Sequence, residues 1–165
     1  MSNYLTEEIT EVVQQLCGKM LELHVTTTDY NQAFQAEQVA LWCVIEIGGP
    51  WTGALQVECS TKFAQTLAQR MFGVKLDLTN PECVEDALRE FTNILGGNVK
   101  RFATEANSNI SESATLQFPK VFTSDPANLQ KQYPEVLSEC FFLAENHPLA
   151  IRVNKRGETH ESAYC

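Results

Sequence analysis

The sequence lacks an excess of basic residues and a long apolar run. Its 12 Lys and Arg residues are outnumbered by 21 Asp and Glu residues, which gives a formal net charge of −9 at pH 7. A basic surface normally supplies the affinity for nucleic acid and for anionic membranes, so this balance argues against both kinds of partner. The apolar run at 39–45 is far shorter than the roughly 20 residues of a membrane-spanning helix.

The sequence also lacks the usual marks of secretion and of metal binding. No basic stretch followed by an apolar one begins the chain, so we expect no signal peptide and a cytoplasmic location. The six cysteines form no Cys-x-x-Cys pair, and the three histidines are scattered, so we expect no metal or cofactor on this chain. We interpret the cysteines as reduced thiols, with Cys17, Cys43 and Cys59 in the core and Cys165 exposed.

The 165 residues are enough for one domain, and 44% of them are hydrophobic, as in an ordinary globular protein. We therefore expect a single domain over 1–165 with a polar tail from about 156. Apolar periodicity predicts three helices, which cover 6–23 with Thr6 as N-cap, the stretch from the cap Ser60 to Phe72, and about 81–103 after the cap Asn80.

Strand-like segments alternate with turn signals in the rest of the chain. We predict strands at 24–28, 39–47, 52–59, 114–118, 121–122, 138–145 and 149–154, with loops at 29–37 and 124–135. The strand at 39–47 is nearly all apolar and is expected to be central, whereas the next one alternates and is expected to be half exposed. Strands joined by hairpins predict an α+β fold, a mainly antiparallel sheet with stacked helices.

The third predicted helix has a polar face of unusual composition. Asp86, Glu90, Asn93 and Gly97 follow one another at spacings of 4, 3 and 4, which places them on one side of a helix. Glu90 and Asn93 are one turn apart, so both can reach the same partner. The pair Gly96-Gly97 costs about 1 kcal/mol per glycine in a helix. It either lets another backbone pack closely or opens a groove beside Asn93.

The segment 86–98, Asp-Ala-Leu-Arg-Glu-Phe-Thr-Asn-Ile-Leu-Gly-Gly-Asn, resembles the signature helix of the CheX branch of the CheC/CheX/FliY phosphatase family. That signature is an acidic residue, then Glu-x-x-Asn, then an apolar pair and a glycine. The flanking segments agree with it, namely Trp51-Thr-Gly-Ala-Leu55, Met71-Phe-Gly73 and Leu116-Gln-Phe-Pro119. The resemblance covers roughly 40–122 and implies a CheC/CheX-like fold.

The resemblance also implies an activity. Members of this family bind a phosphorylated response regulator of the CheY type and speed the hydrolysis of its aspartyl phosphate. By resemblance, Asn93 would position the attacking water and Glu90 would pair with a lysine of the regulator, while Mg²⁺ would be bound by the regulator. CheC proteins carry two Glu-x-x-Asn helices and this chain has one, which fits CheX and its homodimers.

Two other hypotheses remain open at this point. The same fold could serve as a non-catalytic dimeric adaptor or regulator-binding module, or Glu90 and Asn93 could be ordinary solvated residues. A buried, internally bonded Asn93 would argue against the water-positioning role. Glu46 and Glu58 could form a carboxylate pair on one hairpin, and Asn98 could be either a structural hydrogen-bonding residue or a groove residue that helps Asn93.

Overall fold

The computed structural model describes residues 2–29, 38–73, 75–106 and 113–157. Its helices are α1 (Ser2–Gln15), continued by a π-helical turn at Leu16–Met20, α2 (Thr61–Phe72), α3 (Pro81–Ala106) and the short α4 (Asn128–Gln132). Its strands are β1 (Val25–Thr27), β2 (Leu41–Gly48), β3 (Gly53–Cys59), β4 (Thr115–Leu116), β5 (Lys120–Phe122), β6 (Glu135–Ala144) and β7 (His147–Lys155).

The strands of the described residues form one antiparallel sheet. The order across it is β1-β6-β7-β3-β2, and both β4 and β5 pair with the outer edge of β2. The two hairpins fix this order, because β2–β3 and β6–β7 are each paired antiparallel along their length, with one register shift in β6 between Val136 and Ser138. The turn of the second hairpin has positive φ angles at Glu145 and Asn146, as a two-residue hairpin turn requires. The predicted α+β fold with a mainly antiparallel sheet is confirmed.

Three helices cover one face of this sheet. The main core contains the inward residues of α1, α2 and α3 together with those strand residues that point to the same side, such as Ile45, Leu55 and Ile151. The helix α3 packs against β2 and β3, and it also contacts α2, β4 and β5. A smaller cluster of Val44, Ala54 and Tyr133 lies on the opposite face. The long helix therefore lies close to the β2 edge, where its free side is open to solvent.

The capping residues of the second and third helices are confirmed. The Ser60 hydroxyl accepts a hydrogen bond from the Phe63 amide at 3.1 Å, and the Asn80 side chain accepts one from the Glu82 amide at 3.1 Å. Gly73 ends α2 with a φ of 106°, a conformation that favours glycine. The predicted strands and hairpins are also present, although β4 is short and 124–135 contains the helical turn α4. Residues 30–37 of the loop predicted at 29–37, and residues 158–165 of the tail predicted from about 156, lie outside the described residues.

The prediction of Thr6 as the first N-cap was wrong. The helix begins at Ser2, and the Thr6 hydroxyl forms a hydrogen bond of 2.8 Å with the Ser138 hydroxyl of β6. Leu5 is buried together with Ile9 and Val13, so the apolar stripe of α1 begins one turn before Ile9, which the sequence pattern indicated as its first residue. Thr6 therefore joins the helix to the sheet and does not cap it.

The prediction that β3 is half exposed was wrong. All seven residues of β3 are buried, and β3 lies between β7 and β2. The strand β2 has neighbours on both edges, as its predicted central position requires, although four of its residues are partly exposed. Gln56 and Glu58 alternate with apolar residues but do not face water. The Gln56 amide donates to the Glu58 carboxylate at 2.6 Å, and the Arg152 guanidinium of β7 pairs with the same carboxylate. Mutual pairing keeps these polar groups in the structure's interior.

The cysteines of the described residues are free thiols. Cys17, Cys43 and Cys59 are buried, which confirms their interpretation as core residues. Burial raises the pKa of Cys17 to about 12 and the pKa of Cys43 to about 11, so both thiols are neutral at pH 7. Cys165 lies outside the described residues. No helix among the described residues has the length and apolar character needed to cross a membrane.

Candidate functional site

The side of α3 that faces away from the sheet carries Glu90 and Asn93. Both residues are exposed, whereas Phe91 and Leu95 on the other side are buried in the main core. The neighbouring Thr92 is buried, and its hydroxyl donates to the Leu88 carbonyl at 2.8 Å, so it stays within the helix. The sheet packing thus fixes the rotation of α3 and leaves Glu90 and Asn93 pointing outward, one turn apart.

These two residues line an open groove of about 730 Å³, called here the Asn93 groove. Four of its lining residues belong to α3, one is the last residue of α2, and the others are consecutive from the last residue of β4 onward. They are Asp86, Arg89, Glu90, Asn93, Phe72, Leu116, Gln117, Phe118 and Pro119. The groove therefore forms where three separate segments of the chain meet, and a partner can reach Asn93 from solvent.

The charges of the groove are unevenly paired. The Arg89 guanidinium donates to the Asp86 carboxylate at 2.7 Å and to the Glu85 carboxylate at 3.0 Å. Within the described part of the chain, the side chains of Glu90 and Asn93 have no hydrogen bond or ion pair. Arg89 is thus paired within its own helix, whereas the Glu90 carboxylate, without a partner among these residues, faces the groove.

The two glycines of α3 have different surroundings. A Cβ on Gly96 would lie 3.2 Å from the Ile45 side chain and 3.6 Å from the Leu116 side chain. A Cβ on Gly97 would meet nothing within 4 Å, and this residue lines a further groove of about 640 Å³ with Asn93 and Leu116. Gly96 therefore allows close packing, against side chains and not against a backbone, while Gly97 leaves open space beside Asn93.

The remaining polar candidates lie away from this groove. The Asn98 side chain donates to the Ile94 carbonyl at 2.9 Å and does not line the Asn93 groove, so its structural interpretation is favoured. Glu58 is opposite Trp42 in the sheet register and Glu46 is opposite Ala54, so the two carboxylates are four positions apart along the hairpin. They do not form a pair, because Glu58 is already bonded to Gln56 and Arg152.

Sequence reasoning missed two residues of the groove. Phe72 and Phe118 were quoted only as parts of flanking segments, yet both rings line the groove beside Glu90 and Asn93. A single phenylalanine near a glycine or a proline gives no signal of exposure, so the pattern alone could not find them. Among the described residues, no group of three or more His, Cys, Asp or Glu side chains is placed to hold a metal ion.

Comparison with known proteins identifies relatives of this sequence and fold. The family model "Chemotaxis phosphatase CheX" matches residues 41–142. No curated protein matches the sequence. The structure is similar to that of the chemotaxis protein CheX from Vibrio vulnificus, with a TM-score of 0.67 and 16% identity, covering 94% of this chain and 99% of that chain.

Two further solved structures share the fold. A chemotaxis protein from Desulfovibrio vulgaris Hildenborough aligns with a TM-score of 0.64 and 14% identity over 93% of this chain and 97% of that one. The CheX of a CheX–CheY–BeF₃–Mg²⁺ complex from Borrelia burgdorferi aligns with a TM-score of 0.60 and 12% identity over 92% and 97%. At these low identities the similarity to the solved structures concerns the fold. The family-model match confirms the resemblance that was drawn from the segment 86–98 of α3.

Proposed function

Because this chain belongs to the CheX family of chemotaxis phosphatases, we propose that it accelerates hydrolysis of the aspartyl phosphate on a CheY-type response regulator. The observation that carries the proposal is an exposed Asn93 in an open groove, one turn from Glu90, whose carboxylate has no partner among the described residues. A buried, internally bonded Asn93 would have argued against the water-positioning role, but Asn93 is exposed.

The proposed reaction requires only a few groups from this protein. Phosphoryl transfer depends on positioning and on charge stabilisation, and the regulator with its bound Mg²⁺ already supplies the charge stabilisation. A water molecule placed in line with the scissile P–O bond is still needed. The Asn93 amide can hold such a water, because it has both a donor and an acceptor atom.

Glu90 is assigned the anchoring role. Its carboxylate has no partner among the residues that the structure describes and can pair with a lysine of the regulator as Asn93 enters the phosphorylation site. The complex of the Borrelia CheX with CheY, BeF₃ and Mg²⁺ supports this kind of partner. The reaction then needs no covalent intermediate on this chain, and the leaving group is the regulator's own aspartate.

The test compares Asn93→Ala with the wild-type protein by phosphate release from a Mg²⁺-loaded CheY-type regulator labelled with acetyl phosphate. Loss of one preorganised hydrogen-bonding group should raise the barrier by about 2–4 kcal/mol, which removes nearly all the acceleration. Binding to the regulator should largely survive in this variant, because Glu90 is unchanged.

The matched control is Asn98→Ala, which removes the same amide from the same helix but outside the Asn93 groove. This variant should keep the wild-type acceleration. Full acceleration by Asn93→Ala would contradict the water-positioning role. Binding of the phosphorylated regulator by the wild-type protein without any acceleration would instead indicate a non-catalytic adaptor.

A further inference from the structure

Two exposed phenylalanine rings line the Asn93 groove. Phe118 is 76% exposed and Phe72 is 51% exposed, and both form part of the wall that Glu90 and Asn93 share. Six large hydrophobic side chains are exposed in the described part of the chain, and the other four do not line this groove. Single exposed apolar residues are ordinary, but apolar surface gathered around one polar site is typical of an interaction surface.

The positions of the two rings are fixed by well-packed neighbours. Phe118 lies in the connection between β4 and β5, where Leu116 packs against the main core and Pro119 is buried. The backbone N–H of Gln117 in the same connection donates to the backbone carbonyl of Glu46 in β2 at 2.9 Å. Phe72 is the last residue of α2, which ends in the hydrogen-bonded turn at Gly73. The backbone thus holds both rings at the groove while leaving them in contact with water.

We propose that Phe72 and Phe118 form an apolar docking rim for the phosphorylated response regulator, around the contact between Glu90 and the regulator's lysine. This inference rests on the proposed function and adds to it the surface that supplies affinity. Charge complementarity favours this occupant, because Arg89 already pairs with Asp86 and Glu85, while the Glu90 carboxylate has no partner among the described residues and can pair with a cation. A lysine can lay its four-carbon stem on aromatic rings while its ammonium reaches a carboxylate.

The rim and Asn93 are assigned different parts of the reaction. The rings contact the docked regulator equally before and during hydrolysis, so they contribute uniform binding and affect KM. Asn93 acts on the attacking water, so its loss affects kcat. Rings that enclose a charged contact also exclude water from it, as the neighbours of interface hot spots do.

The test measures kcat and KM for phosphate release as the concentration of phosphorylated regulator is varied. The variants are Phe72→Ala, Phe118→Ala and the double variant, with Phe118→Leu as the conservative change. Each alanine variant should raise KM about tenfold and the double variant about a hundredfold, with kcat unchanged, since truncated aromatic hot spots commonly cost this much affinity. Phe118→Leu should lie closer to the wild type, because it keeps most of the apolar contact.

Met20→Ala is the matched control. Met20 is 71% exposed, nearly as much as Phe118, but it lies in the π-helical turn after α1 and outside the groove. Its substitution should change neither constant, and circular-dichroism melting should show that every variant is folded. Wild-type acceleration with unchanged KM in the phenylalanine variants would overturn the rim and leave the proposed function intact. A wild-type protein that neither binds the phosphorylated regulator nor accelerates its hydrolysis would overturn both.

Discussion

The helices α1 and α3 carry nearly the same spacing of polar and apolar residues. Glu11 and Gln14 repeat the separation of Glu90 and Asn93, and each pair is followed at the same offsets by a buried leucine and a glycine. Both pairs are exposed on their helices. If the spacing alone made a site, α1 would be a second candidate.

The surroundings of the two pairs differ. The Glu11 carboxylate accepts a hydrogen bond from the Gln15 amide at 2.9 Å, whereas Glu90 has no such partner within the described residues. Glu11 lines a groove of about 180 Å³ whose other residues are Glu8, Val12, Gln15, Asn98 and Arg101, and Gln14 does not line it. The Asn93 groove is about four times larger and contains two aromatic rings. Neighbouring elements, and not the helix pattern, therefore distinguish the candidate site.

The close packing of α3 against the sheet contributes to this difference between the two helices. Substitution of Gly96, which lies at that contact, is the test with the largest expected effect. Gly96→Leu should lower the free energy of unfolding by about 1–3 kcal/mol, because the added atoms overpack the buried Ile45. Gly97→Leu is the control at the next position, where an added Cβ meets nothing within 4 Å. It gains helix propensity and should stabilise the protein by up to about 1 kcal/mol. Urea denaturation measures both, and equal effects would contradict the close packing of α3.

A smaller effect is expected at Gly18, which lies in the π-helical turn after α1 and corresponds in spacing to Gly97. Gly18 has open space for a Cβ and no positive φ, so Gly18→Ala should stabilise the protein by about 0.4–1 kcal/mol through the unfolded chain. Gly73→Ala provides the contrast, since Gly73 has equal space but a φ of 106°, and it should destabilise by about 1–2 kcal/mol. Thermal unfolding of the two variants checks the sign, and destabilisation by Gly18→Ala would show that the π-helical turn requires glycine.

No change is expected when the polar pair of α1 is removed. The double variant Glu11→Ala, Gln14→Ala should hydrolyse the regulator's phosphate within about twofold of the wild-type rate, because a helix face without a docking groove contributes no positioning. The same phosphate-release assay measures it beside Asn93→Ala. A loss as large as that of Asn93→Ala would mean that α1 also acts on the phosphorylated regulator.

Local signals made much of this fold predictable. Ser60, Gly73 and Asn80 mark helix ends through hydrogen bonds and φ angles within their own segments, so the sequence was sufficient to place α2 and the start of α3. The hairpins were equally local, since their strands are joined by short turns. Thr6 was misassigned because its hydrogen-bonding partner, Ser138, is 132 positions away. The burial of β3 was missed because Glu58 pairs with Arg152 across 94 positions.

The sequence by itself determined that Glu90 and Asn93 share one side of a helix, because 3.6 residues complete a turn whatever surrounds it. It also carried the signature by which the family could be recognised. Only the tertiary structure decided that this side is open and that, in the part of the chain that the structure describes, no other group pairs with the Glu90 carboxylate. It also brought Phe72 and Phe118 to the same groove. Those properties depend on contacts between α2, α3 and the β4–β5 connection, which no local pattern of residues encodes.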